Sequence, residues 1–418
     1  MTSSPKWTRT RATRGFTLLE VMIASAIGLI VLGAGLVAAM QMQRRSQFEE
    51  QTMQAQTTGR VVMELISADL QRAGAGMGNA PIVFSDTRVQ APIQAWTEPD
   101  LRAVDVTRPF PADANFALPP PPPSHLADFA SDVLQMHWGD TRAMVTLANC
   151  TPPPPQPQDF VRNDAQVFCL VPNSSTRLAP TVAPSTPALA VNPSRNMACH
   201  VRVTSVDAAS NQLIAEVGSG TETTTVPPCG TPGDPLWRVS NPARESWRIM
   251  QAQSAAYRVN WASGTPTLEY LGPGAEDWVV LSRHVERLKV RFGVMSHAPP
   301  IGFRWFPDPD PAVNLPEIDN CTIARCPIDQ HPDASLEPGA PADDTELRLR
   351  LWQRVREAEV TLVVRTPRPD RDAFDPDEAM RYDKEGFPID GFKRRTYTFR
   401  VMLRNFAAGG LQPPLVGE

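Results

Sequence analysis

Glu20 is the residue whose chemistry most needs explaining, because it is a carboxylate in a segment with otherwise apolar character. Residues 16–43 (FTLLEVMIASAIGLIVLGAGLVAAMQMQ) hold no other charge, and the next ionised side chain is Arg44. As a helix this stretch can cross about 30 Å of hydrocarbon. An ionised side chain at the centre of such a helix costs about 2.5–3.5 kcal/mol on insertion scales, so Glu20 requires a partner. A cut between Gly15 and Phe16 would supply one, because the new ammonium on Phe16 would lie about one helical turn from Glu20, on the same chain or on a packed neighbour. Gly15 suits a scissile position, since a residue without a side chain lets an enzyme approach the backbone closely. Lys6, Arg9, Arg11 and Arg14 precede the run with no acid among them. By the positive-inside rule this leader stays in the cytoplasm and everything after about residue 40 is exported. A plain signal anchor with Glu20 reaching back to the interface is the alternative. A cleaved secretory signal fits worse, because its cut follows the apolar run instead of preceding it.

The exported part holds all six cysteines, Cys150, Cys169, Cys199, Cys229, Cys321 and Cys326. An even number in an oxidising compartment predicts disulfides. Six cysteines allow about 15 connectivities, and proximity alone favours pairing in chain order, with Cys321–Cys326 closing a small loop. Zinc competes for the same thiols, but the sequence has no C-x2-C pair and its six histidines are scattered. Asp370, Asp372, Asp375, Asp377 and Glu378 offer oxygens to calcium, but the glycine and spacing of an EF-hand loop are missing, so a solvated acidic loop is expected. With no G-x-S-x-G elbow, H-E-x-x-H helix or G-x-x-x-x-G-K-[ST] loop, the expectation is no enzyme and no cofactor. A net charge of −5 and an apolar content of 42% give no sign of a nucleic-acid stripe.

These groups need elements to position them. Residues 41–72 contain no proline and are rich in good helix formers, so the helix should continue from the apolar run to Arg72. Val62, Ile66 and Leu70, with Val61 and Leu65 beside them, make an apolar stripe at helical spacing that should pack on a head. Gly74, Gly76 and Gly78 then stop the helix. The roughly 345 residues that follow suffice for a large core or two lobes. Proline runs at Pro119–Pro123 and Pro152–Pro155 predict extended loops over about 81–130 and 151–160. Val201 and Val203, then Leu213, Ala215 and Val217, alternate around a turn at Asp207 to Asn211. Tyr257, Val259 and Trp261, then Leu268 and Tyr270, alternate around Ser263-Gly264. Both patterns read as hairpins. Leu288, Val290 and Phe292 make a further strand, Val360 to Val364 a buried one, and Tyr397, Phe399, Val401 and Leu403 the closing one. The proline- and acid-rich stretch of about 296–345 reads as a long insertion. A helix followed by strands without regular alternation argues α+β with an antiparallel sheet.

At Gly15, Phe16 and Glu20 the sequence resembles the type IV pilin-like superfamily. That resemblance implies that prepilin peptidase removes residues 1–15, that Phe16 is N-methylated, and that Glu20 is the fifth-position glutamate that orders subunit docking. Residues 68–74 (ADLQRAG) resemble the DLR-x-AG element of the minor pilins called PilW. Residues 285–293 (VERLKVRFG), 358–365 (AEVTLVVR) and 399–405 (FRVMLRN) look like that family's C-terminal blocks. The plan implied is a pilin helix over 16–72, spanning the inner membrane at about 18–40, and a periplasmic β-rich head over 73–418 with long proline-rich loops. The implied role is to help initiate pilus assembly near the fibre tip, with other minor pilins and the major pilin as partners and no nucleic acid. Many pilins carry a kinking proline near the middle of the span, and here there is none. A J-type pseudopilin of type II secretion shares this N-terminus and stays open as an alternative, as does an adhesive or ligand-binding head.

Overall fold

A 55-residue helix, α1 (Leu18–Arg72), opens the computed structural model of the protein. The structure describes residues 15–84, 89–103, 112–119, 130–150, 161–162, 167–173, 186–193, 197–207, 209–216, 247–275, 277–297, 302–308, 310, 312–330, 339–370, 387 and 390–407. Two units emerge, residues 1–54 and 55–418. In the second, α1 buries Ala55, Gly59, Val62, Ile66, Asp69 and Leu70. Their spacing of three and four keeps them on one face. Ile66 and Leu70 are fully buried, whereas Val61 is 60% exposed because it lies about 100° around the helix from that face. Leu65 packs at the margin of the same core.

The larger sheet runs β13 (Val279–Arg283), β12 (Thr267–Leu271), β11 (Arg248–Asn260), β8 (Pro187–Asn192), β9 (Met197–Asp207), β10 (Gln212–Glu216), β7 (Val167–Cys169) and β6 (Val161–Arg162). Off this path, β4 (Val133–Gly139) and β5 (Val145–Thr146) pair with β11, and β3 (Ile93–Trp96) pairs with β4. β1 (Ile82–Val83) pairs with β2 (Val89–Gln90) and runs parallel to β9. The smaller sheet is β15 (Gly302–Phe306), β14 (Val285–Ser296), β16 (Val355–Arg365) and β17 (Arg394–Met402). All other pairings among the described residues are antiparallel. The fold is α+β, a long N-terminal helix with a head dominated by antiparallel sheet.

Both hairpins read from alternation are present, as β9–β10 and β11–β12. The Val360 to Val364 strand lies centrally in the smaller sheet, with Val360, Leu362 and Val364 fully buried. Two segments differ from expectation. The stretch expected as loop over 81–130 contains β3, whose Ile93 is fully buried against β4. The expected insertion at 296–345 contains β15, an edge strand on β14 with Phe306 in the core, followed by a short 3-10 turn (Ile318–Asn320). Its prolines flank β15 without interrupting its ladder. A second helix, α2 (Asp344–Gln353), starts where Asp343 accepts a 2.8 Å hydrogen bond from the Glu346 amide.

Cys150 is bonded to Cys169 and Cys321 to Cys326, with Cα separations of 5.2 and 5.5 Å. Cys199 is also in a disulfide. Cys229, Val217, Pro120–Pro123, residues 151–160 and the acids Asp372, Asp375, Asp377 and Glu378 lie outside the described residues.

The end of α1 is fixed by groups from distant parts of the chain. Asp69, 3% exposed, accepts a 2.7 Å hydrogen bond from the Tyr257 hydroxyl and a 3.2 Å ion pair from Arg72. Burial, and then the Asp69 carboxylate, push the Tyr257 phenol well above its ordinary range, so it remains a donor. Asn405 Nδ2 donates to the Gln71 and Ala73 carbonyls at 3.0 Å each, meeting acceptors that a helix end leaves open. The chain then turns through Gly74 at φ 73°, where a Cβ would sit 2.3 Å from the Gly78 carbonyl oxygen. Further up the helix, a Cβ on Gly59 would meet the Tyr397 ring at 2.4 Å, so glycine there lets β17 approach α1.

Charges clamp the strands. Glu286 on β14, almost wholly buried, accepts from Arg394 on β17 at 2.6 Å and from Arg365 on β16 at 3.1 Å. Asp132, just before β4, accepts from the Val290 amide at 2.8 Å and from Lys289 at 3.1 Å. Burial pushes the Asp132 carboxyl up to about 6, against the pull of Lys289.

Gly74→Ala is expected to cost about 2 kcal/mol or more, from strain at positive φ plus the backbone clash. Gly264→Ala, also at positive φ but with open space around it, should cost about 1 kcal/mol. Thermal midpoints of the full-length proteins in one mild detergent would compare them, and equal shifts would contradict the clash. For Asp132, the folded state retains a proton that the unfolded chain releases near 3.8, so its contribution to stability is complete below pH 3.8 and is lost as pH rises to about 6. Asp132→Asn should remove that slope between pH 4 and 6 in melting experiments.

Candidate functional site

The N-terminal unit begins with a reciprocal cap. Thr17 precedes the first turn of α1, and Glu20 Oε2 accepts from both the Thr17 amide and its hydroxyl at 3.0 Å. The Glu20 amide donates back to Thr17 Oγ1 at 3.3 Å. This is a capping box, which satisfies donors that the first helical turn leaves open and holds the carboxylate at the positive end of the helix dipole. The T-x-x-E spacing of Thr17 and Glu20 carries this signal, and Thr17 adds a partner for Glu20 beside the Phe16 ammonium expected from the sequence. Phe16, next in line, is 85% exposed.

Gly15 has nothing within 4 Å of the position its Cβ would take, so the described residues supply no packing reason for glycine there. Gly28, Gly33 and Gly35 within α1 are equally open. The large apolar side chains from Leu18 to Met42 are 49–80% exposed. An 18-residue window of α1 has mean hydropathy 2.5, and the helix is long and apolar enough to cross a membrane. Ser25, a polar residue in this run, turns its hydroxyl onto the Met22 carbonyl at 2.9 Å. Past the apolar run, Arg45 and Glu49 form an exposed pair at 3.5 Å, of a type that adds little to stability. The chemistry of this unit is therefore one carboxylate beside the chain's Gly15–Phe16 bond, on a helix whose apolar surface is left uncovered by the unit's described residues.

The four downstream segments singled out in the sequence are linked as neighbours, and residues 358–360 on β16 also pair with residues 399–401 on β17. Residues 68–74 meet residues 399–405 through Asn405 at the end of α1. Residues 285–293 and 358–365 lie side by side as β14 and β16.

A model of the prokaryotic N-terminal methylation motif matches residues 10–36, which contain Gly15, Phe16 and Glu20. The pilin-like protein PilA3 of Thermus thermophilus is 37% identical over 67 residues, covering 16% of this chain and 29% of that protein. Among solved structures, a type IV-like pilin from Thermus thermophilus is similar over 37% of this chain and 66% of its own, with 15% identity and a TM-score of 0.18. The chain thus spans under a third of the length of its curated relative. The N-terminal segment thus carries a prokaryotic N-terminal methylation motif and is similar to a pilin-like protein over 67 residues.

Proposed function

We propose that this protein is a minor type IV pilin of the PilW kind that helps initiate pilus assembly at or near the fibre tip. The observation that carries the reading is the apolar half of α1, exposed from Leu18 to Met42, with three glycines that no contact among the described residues explains. Small residues on such a helix allow close approach of another helix, and the exposed side chains supply the buried area once lipid or a neighbouring pilin covers them. Residues 1–15 form the leader removed by prepilin peptidase, and Phe16 is the N-methylated first residue. Glu20 then pairs with the Phe16 ammonium of a neighbouring pilin, major or minor. The N-terminus is cytoplasmic, the helix spans the inner membrane and the head is periplasmic, where disulfides such as Cys150–Cys169 are favoured. The protein acts by non-covalent packing, with no catalytic step and no cofactor.

Gly15→Val should block maturation, leaving the leader attached, while mass spectrometry of the mature wild-type chain should find N-methylated Phe16. A functional protein that keeps its leader would refute the processing scheme. Glu20→Val should enter the membrane at least as well as wild type, since it removes a charge from hydrocarbon, yet be depleted from sheared fibres. Wild-type incorporation would exclude the pairing. Deletion of the gene should abolish surface pili, with their return when retraction is blocked. Unchanged piliation accompanied by failed protein secretion would indicate a pseudopilin instead.

A further inference from the structure

The head contains a cavity of about 580 Å³ between β2, β3 and α2, within the range of small-molecule sites. Its walls carry an unusual group of side-chain amides. Asn79, Gln90 and Gln353 are 3%, 4% and 1% exposed. Both amide atoms of Gln90 and of Gln353 lack a protein hydrogen-bond partner among the described residues, as do Asn79 Oδ1 and Gln94 Oε1. Native interiors keep very few such groups, because each forfeits its hydration without compensation. Four of them around one cavity concentrate donors and acceptors there. Other polar atoms there are held in place: Asp319 accepts from Trp352 Nε1 at 2.8 Å and from Gln94 Nε2 at 2.7 Å, and Asn79 Nδ2 donates to the Gln353 carbonyl at 2.7 Å.

We infer that this cavity binds a neutral, polyhydroxylated ligand, a carbohydrate unit. A side-chain amide offers a donor and an acceptor side by side, which matches hydroxyl groups that both give and accept. Trp96 and Trp352 also line the cavity and supply apolar ring surface for the carbon face of a sugar. Two carboxylates, Asp319 and Glu317, share the wall with one guanidinium, Arg348, so an anionic ligand is disfavoured. The site lies wholly in the second unit and does not require the assembly role.

The test uses full-length protein in a detergent without a sugar headgroup, such as dodecyl phosphocholine. Methyl glycosides of glucose, galactose, mannose and N-acetylglucosamine are titrated by calorimetry, with tryptophan fluorescence as a second readout. At least one should bind saturably. Gln90→Leu and Gln353→Leu should each weaken binding about tenfold or more while leaving the thermal midpoint unchanged or raised, because an apolar side chain of similar size replaces an unpaired amide. No binding by any glycoside, or undiminished binding by both variants, would overturn the assignment. Binding of capped tri-alanine in place of the glycosides would also overturn it, marking a peptide site. Pili counted in the Gln90→Leu strain keep the two readings apart, since normal piliation with lost sugar binding is expected.

Discussion

A helix that ends inside a protein has to find partners for its last carbonyl groups, and this requirement organises the head. Asn405 meets it with a side chain from the far end of the described chain, and Tyr257 meets the neighbouring demand of the buried Asp69. Because these partners come from the segment after β17 and from β11, the end of α1 is held only when both sheets are in place. Gly74 completes the arrangement by turning the backbone where no side chain would fit.

The two halves of α1 therefore obey different rules. From Ala55 onward, apolar residues recur every three or four positions and the opposite face is polar, which is the signature of a helix packed on one side. Before Gln43 the apolar character extends around the whole circumference, which is the signature of a helix surrounded by apolar material. One continuous secondary structure carries both patterns, so the change in hydrophobic pattern, and not any break in the backbone, marks the boundary between the two environments.

Legibility in the sequence followed the strength of the period. Strands β9 to β12, β14, β16 and β17 alternate or run apolar over five or more residues, and they were readable. β3 has four residues and β15 five, both in proline-rich surroundings, and too few positions repeat in either for a period to stand out. α2 is short and rich in charge, so its helical stripe rests on Leu347 and Leu351. Among the site residues, Gly15, Phe16 and Glu20 stood out by their spacing around an apolar run. The Thr17 cap is equally legible, from the T-x-x-E spacing at the start of the apolar run. The amide cavity had no sequence signal, since Asn79, Gln90, Gln94 and Gln353 come together only through tertiary structure.

The cap on α1 also bears on the order of events during biogenesis. The bond from Asn405 to the Gln71 carbonyl spans 334 residues of sequence, so the helix end stays unfinished until Asn405 has been made and brought back to it. Closing so long a loop is slow, and strands awaiting their partners expose edges in the meantime. A protein wired this way completes the end of its helix only after the segment following β17 is in place, which makes that helix end a late event in folding.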